Sequence, residues 1–203
     1  MPEILGNYED LEFSNDQANF LNYAKSSYIT QLSNNEPIAE KVLAMYDVID
    51  DINKNSFVNK DQPSCKKGCA HCCYIQVATM EWEIITILEY MKEQGLEFEP
   101  KELELLEKQA LIKDDKEYIL SPHRRCVFLD KYNSCSIYPV RPSACRNYYV
   151  FSDPSDCDTF NDKASGRTLV NFNLETVAPI LALMELSEMK PMAKHLIKKL
   201  KES

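Results

Sequence analysis

"CKKGCAHCC", residues 65–73, places four of the chain's eight cysteines in one short run and sets two of them side by side. Its reading decides the fold, because the chain is helical in pattern on both sides of it and turns irregular again from Cys126 to Cys157. Cysteines three or four positions apart can turn inward on one loop, the arrangement of metal knuckles. Cys65, Cys69 and Cys72 have that spacing, and Gly68 sits where a tight loop needs positive φ or close backbone approach. Neighbouring side chains in extended backbone point to opposite sides. Cys72 and Cys73 are therefore expected to serve different sites or a bridging arrangement, or to divide into a ligand and a core or redox thiol.

Cys126, Cys135, Cys145 and Cys157 are too widely spaced for a local knuckle, so tertiary folding must bring them to the first run or to one another. Two sites of about four ligands each would use all eight, as structural zinc prefers. Eight thiolates on one divalent ion would leave a large buried negative charge, which an interior tolerates poorly. Four of the five arginines, Arg124, Arg125, Arg141 and Arg146, lie in or beside the later cysteine segment, and Lys66 and Lys67 lie inside the first. Cations beside cysteines lower thiol pKa values and offset the charge of a thiolate centre. His71 and His123 fall in the same region; His71 is expected to line the site or donate a hydrogen bond to a ligand.

The charge balance narrows the partners. A formal charge of -9 repels phosphate backbones, so nucleic acid is not expected. "MPEILGNYEDLEF" has neither a basic nor an apolar leader region, and no apolar run approaches a bilayer span. A cytoplasmic protein with no membrane association is the expectation, and there clustered cysteines are metal-binding or catalytic more often than disulfide-bonded. The composition, 44% hydrophobic over 203 residues, suits a single domain spanning 1–203 with a real core.

Residues 14–33 read as a helix capped by Ser14 with Phe20, Leu21, Ala24, Tyr28 and Leu32 near one face; a second begins at Pro37 and carries Ile38, Val42, Met45, Val48 and Ile49. Together they suggest a helical hairpin. "TMEWEIITILEYMKEQG" reads as a helix with Thr79 as cap, Glu81 and Glu83 in the first turn, Ile84, Ile85, Leu88 and Met91 in the core, and Gly95 as stop. Another helix starts near Pro100. "CVFLDKYNSCSIY" has the composition of a small hairpin, and "PVRPSACRNYYVFSDPSDCD" of turns. The C-terminal segment returns to helix, broken at Pro191, and its basic end, Lys194, Lys198, Lys199 and Lys201, suits the helix dipole. The expected fold is mainly α, with helices packed around an irregular, metal-stapled Cys-rich centre (about 65–157) that holds a short β-hairpin.

"CKKGCAHCC" followed by "CSIYPVRPSACR" resembles the YkgJ-like cysteine-cluster family, the CxxCxxCC domain described as zinc- or iron-chelating. The resemblance covers roughly Cys65 to Cys157. It implies a bacterial or archaeal origin and carries over Cys65, Cys69, Cys72, Cys73, Cys126, Cys135, Cys145 and Cys157 as candidate metal ligands. Tyr138, Pro139, Arg141, Pro142 and Arg146 match the family's Arg-Pro segment, the prolines fixing the turn while an arginine faces sulfur or a carboxylate. Arg141, Arg146 and His71 are thus candidates for contact with the bound cofactor.

Thiolates suit both zinc and a [4Fe-4S] cluster. The Cys65, Cys69, Cys72 spacing is also that of radical S-adenosylmethionine enzymes, but their partial α/β barrels and Gly-rich loops do not match helical flanks and four glycines. The expected function is metal binding with a mainly structural or interaction role, the acidic helices offering a surface to a protein partner. The alternative is an iron-sulfur enzyme or an electron-transfer or methyl-transfer accessory protein. Thiol redox chemistry at Cys72 and Cys73 is disfavoured by the strain of a vicinal disulfide and the lack of a thioredoxin-like frame.

Overall fold

Local chemistry sets the helix ends wherever the chain is regular. The computed structural model describes residues 14–33, 36–56, 62–66, 68–160, 174–185 and 187–202; the N-terminal stretch read for a leader and Lys67 lie outside them. Helix α1 (Asn15–Leu32) begins as expected, because Ser14 Oγ accepts the Gln17 N–H while Gln17 Oε1 accepts the Ser14 N–H. Two orphan donors of the first turn are thereby paired. Helix α2 (Ile38–Ser56) buries Val42, Met45, Tyr46 and Ile49 along one stripe.

The two helices meet near their linked ends, where Leu32 joins Val42, Met45 and Tyr46 in one cluster, but the expected hairpin is not packed along its length. α1 packs mainly on helix α7 (Leu174–Met184), where Leu21 meets Val177 and Ala178, and α7 also lies against α2. A helix from the far end of the sequence takes the place assigned to its neighbour, and Phe20 is left exposed.

Helix α3 (Glu81–Gln94) corrects the reading of Thr79. Residues Ala78–Met80 form strand β1, which pairs antiparallel with β2 (Met189–Pro191), Ala78 facing Pro191. Thr79 is buried in that strand and its hydroxyl has no partner among the described residues, so the N-cap is Met80. The donors at the helix start are satisfied from elsewhere: Glu83 Oε2 accepts the Met80 N–H at 3.0 Å, and Ser187 Oγ accepts the Glu81 N–H at 2.8 Å. α3 stops where expected, at Gly95, which adopts φ 63° and directs its N–H to the Lys92 and Met91 carbonyls. A Cβ added there would meet nothing within 4 Å, so Gly95→Ala should cost about 1 kcal/mol from backbone strain alone. Urea denaturation of the variant measures this; no loss would mean that the helix end relaxes.

Helix α4 (Pro100–Ala110) starts on its proline, and short helices α5 (Asp115–Leu120) and α6 (Ser143–Arg146) interrupt the irregular region. The break near Pro191 is present: β2 ends there and α8 (Met192–Glu202) begins. α8 sends Met192, Ala193 and Leu196 into the main core with Ile84, Ile87, Leu106, Phe128, Ile137 and Val140. Its basic end does more than complement the dipole, since Lys198 and Lys199 reach Glu81 at 2.9 and 2.8 Å and tie α8 to the start of α3.

The hairpin expected in residues 126–138 is reduced to a single antiparallel bridge, Leu129 with Cys135. Asp130 explains the shortening. Its carboxylate accepts the N–H groups of Tyr132 and Ser134, and Asn133 takes φ 57°, so the turn consumes the donors a ladder would need. Among the described residues the small sheet is the β1–β2 pair. No helix of the described residues is long and apolar enough to cross a membrane.

Candidate metal centre

The cysteines sit on turns and loops, with Cys145 on α6, and backbone bonds join the later segment to the first run. Gly68, at φ 88°, bends the first run, and the Cys69 N–H reaches the Lys66 carbonyl at 2.9 Å. A Cβ there would meet open space, so it is the backbone angle and not a close approach that requires glycine. His71–Tyr74 form a 3₁₀ turn. Cys72 and Cys73 are thus not extended, and successive residues rotate by about 120°. Their thiols do not diverge to opposite sides but hydrogen-bond to each other.

Two backbone bonds join the later segment to the first run. The Cys126 N–H donates to the Cys73 carbonyl at 2.7 Å, and the Ser64 N–H to the Val150 carbonyl at 2.8 Å. Cys126 and Cys135 pack against the main core. Each sulfur accepts the backbone N–H two residues on, from Phe128 and Ile137 respectively. That pattern pre-orients a sulfur as an anion or ligand. Cys145 rides on α6, whose first N–H, from Ser143, is taken by Glu83 Oε1 at 2.7 Å.

Cys157 closes the 3₁₀ turn Pro154–Cys157, which packs on His71–Tyr74. Tyr148 hydrogen-bonds its sulfur. The Arg124 guanidinium lies 3.7 Å over the Phe160 ring, and Phe160 meets Tyr74 edge-on at 5.2 Å. These contacts hold the Cys157 segment to the first run.

Electrostatic reach sorts the thiols into two groups. Cys157 feels Cys65, Cys69 and Cys72, and Cys65 feels Cys69 and Cys72. Cys73 feels Cys126 and Cys145, Cys126 feels Cys135, and Cys145 feels Cys126 and Cys135. Cys72 reaches members of both groups.

Burial outweighs the expected cationic effect on most of these thiols. It pushes Cys126 up to about 12, Cys157 up to about 11, and Cys145 well above the usual thiol range. Cys72 moves the other way, lowered first by the hydrogen bond with Cys73 and then by Arg141. Metal binding at the buried thiols would therefore release protons.

The four arginines divide their labour more than their clustering suggests. Arg141 acts on Cys65, Cys72, Cys135 and Cys145. Among the described residues it makes no salt bridge; its guanidinium lies 4.3 Å over the Tyr138 ring. Arg146 is committed to shaping the segment: it pairs with Asp50 of α2, donates to the Arg141 and Pro139 carbonyls, and stacks 4.1 Å over Tyr46. Arg125 donates to the Leu129 and Asp130 carbonyls, and Arg124 holds Phe160. His71 lies in the turn with Cys72 and Cys73, half-buried, and acts on Asp153. The His123 carbonyl accepts from Gln109.

Sequence reasoning missed Glu83, Tyr46 and Tyr148. Tyr148 carried a signal, an aromatic hydroxyl in "CRNYY" between two cysteines, and Glu83 differed from Glu81 only by the helix face it occupies.

All eight cysteines are free thiols. Among the described residues no three His, Cys, Asp or Glu side chains stand as ligands around one point, so the thiols are gathered without being closed into a coordination sphere. The donor set fits zinc or iron-sulfur chemistry: soft sulfurs, amide N–H groups aimed at them, and one guanidinium beside them. A family model described as "CxxCxxCC: Putative zinc- or iron-chelating domain" matches residues 64–165. The chain belongs to this CxxCxxCC family. No curated protein and no solved structure is significantly similar to it.

Proposed function

We propose that the chain is a metal-binding protein in which Cys65, Cys69, Cys72 and Cys157 supply one thiolate group and Cys73, Cys126, Cys135 and Cys145 the other, with Cys72 bridging the two. The observation that carries this reading is the convergence of free thiols from two distant segments on Cys72. Arg141 and His71 flank the bound metal, and Arg146 holds the Arg-Pro turn in shape. Bound zinc would supply cross-links between loops; a [4Fe-4S] cluster would supply the same cross-links and an electron site.

A mainly structural role follows from what the centre joins. Residues 62–77 and 121–160 contain few regular elements, and their turns are held by scattered backbone bonds and by a core shared with α8. Metal ligation there is folding free energy. The shared core supports one folding unit, the clustering of cysteines suits a reducing, cytoplasmic setting, and the acidic helices leave a surface for a protein partner. The alternative, an iron-sulfur enzyme or an electron- or methyl-transfer accessory, is favoured by one observation: Cys65 is exposed at the edge of a cavity.

Anaerobic purification with metal analysis and a visible spectrum tests the reading. Stoichiometric iron and sulfide with a brown colour would select the cluster; colourless protein carrying zinc under iron-replete anaerobic expression would select zinc. Protein that binds neither, with all eight thiols titratable, would sink the proposal.

A further inference from the structure

A cavity of about 450 Å³ opens beside Cys65, with Arg141, Tyr138, Tyr149 and Lys54 in its wall, and its size suits a small molecule. The Arg141 guanidinium carbon lies over the Tyr138 ring, 4.3 Å from its centroid, and Tyr138 is itself exposed. Its guanidinium donates to the Tyr149 side chain, while its buried Nε has no hydrogen-bond partner. A guanidinium stacked on an aromatic face keeps its in-plane N–H edge available for an oxyanion. Lys54, exposed in the last turn of α2, supplies a second cation to the wall and has no ion-pair partner among the described residues. Asp50, the acid in that wall, is already paired with Arg146. In a chain of formal charge -9, this pair of cations without an ion-pair partner among the described residues is local.

We infer that the cavity is an oxyanion site for a small carboxylate- or phosphate-bearing molecule, its anionic group held by Arg141 and Lys54 and its remainder lying against Tyr138 and Tyr149. Arg141 also acts on Cys65, which stands in the same wall, and on Cys72. A ligand seated there is in electrostatic contact with the thiols, whichever metal they hold.

The test is calorimetric titration of the full chain, as purified with its metal, using benzoate and phenyl phosphate, with benzyl alcohol as the neutral counterpart. At least one anion should bind saturably with a Kd of about 1 mM or tighter, and benzyl alcohol should not. Lys54→Gln should weaken that binding at least about threefold, and Arg141→Lys, which keeps the charge and loses the planar fork, about tenfold. Which anion binds identifies the carboxylate or the phosphate source. Absence of saturable binding by both anions, equal binding of benzyl alcohol, or an unchanged Kd in Lys54→Gln overturns the inference. Lys54 is exposed, so its variant does not threaten the fold. Metal content measured on the same samples separates failure of the anion site from failure of the thiols to load.

Discussion

Cys72→Ser should empty both halves of the centre, whereas Cys157→Ser should lose about half of the metal and leave the Cys73, Cys126, Cys135 and Cys145 group loaded. The asymmetry comes from position. Cys72 lies in the 3₁₀ turn that faces the Cys157 turn on one side, and it reaches Cys126, Cys135 and Cys145 on the other. Its hydrogen bond with Cys73 also couples it to the one member of the second group that shares its turn. Serine keeps the size and removes the soft donor, so the packing of the turn is spared while ligation is lost. Metal per chain after anaerobic purification, compared across the two variants, gives the answer. Full loading of Cys72→Ser would remove that residue from its shared position, and loss of all metal in Cys157→Ser would merge the two groups into one site.

Glu83→Ala should cost about 3–5 kcal/mol of global stability, and Glu83→Gln about 1–2 kcal/mol. Glu83 is fully buried and accepts three hydrogen bonds, from the Met80 N–H, the Ser143 N–H and the Tyr46 hydroxyl. Burial, with the Glu83 carboxylate adding to it, holds the Tyr46 phenol well above its usual range, so it stays neutral and donates. Alanine would leave three donors without partners in the interior; glutamine keeps one acceptor oxygen and adds an amide that must find a place. One side chain thus joins α2, the start of α3 and the start of α6, which carries Cys145. The alanine variant should therefore also load less metal. Urea denaturation of both variants measures the difference, and a cost below about 1 kcal/mol for the alanine would show that the buried donors find other acceptors.

Features that depend on a few neighbouring residues were legible in the sequence. The Ser14 and Gln17 reciprocal cap, Pro100 in a first turn, the left-handed stop at Gly95 and the buried stripe of Val42, Met45 and Ile49 are all local chemistry. So was the mainly helical class with an irregular cysteine-rich middle. Features decided by distant pairing were not. Thr79 reads as a cap until residues 189–191 arrive to make residues 78–80 a strand. The α1–α2 hairpin fails because α7 offers α1 a better apolar partner. Glu81 and Glu83 look alike along the chain, yet one meets Lys198 and Lys199 at the surface while the other enters the core.

The candidate site shows the same division. The chemistry of the donors is written in residue types, and spacing alone picks out the knuckle at Cys65, Cys69 and Cys72. The backbone amides aimed at Cys126 and Cys135, the committed donors of Arg146 and the cavity beside Cys65 are products of three-dimensional placement. No count of cysteines contains them.

The β1–β2 pair also sets an order in time. During synthesis the segment Ala78–Met80 emerges well before Met189–Pro191, and the core that backs Cys126 and Cys135 lacks Met192, Ala193 and Leu196 until α8 has been made. Non-local closure of this kind is slow, and domains complete their folding only when the contributing residues have left the ribosome. The Cys126 and Cys135 sulfurs thus gain their full packing only after the first cysteine run and everything up to α8 has been made.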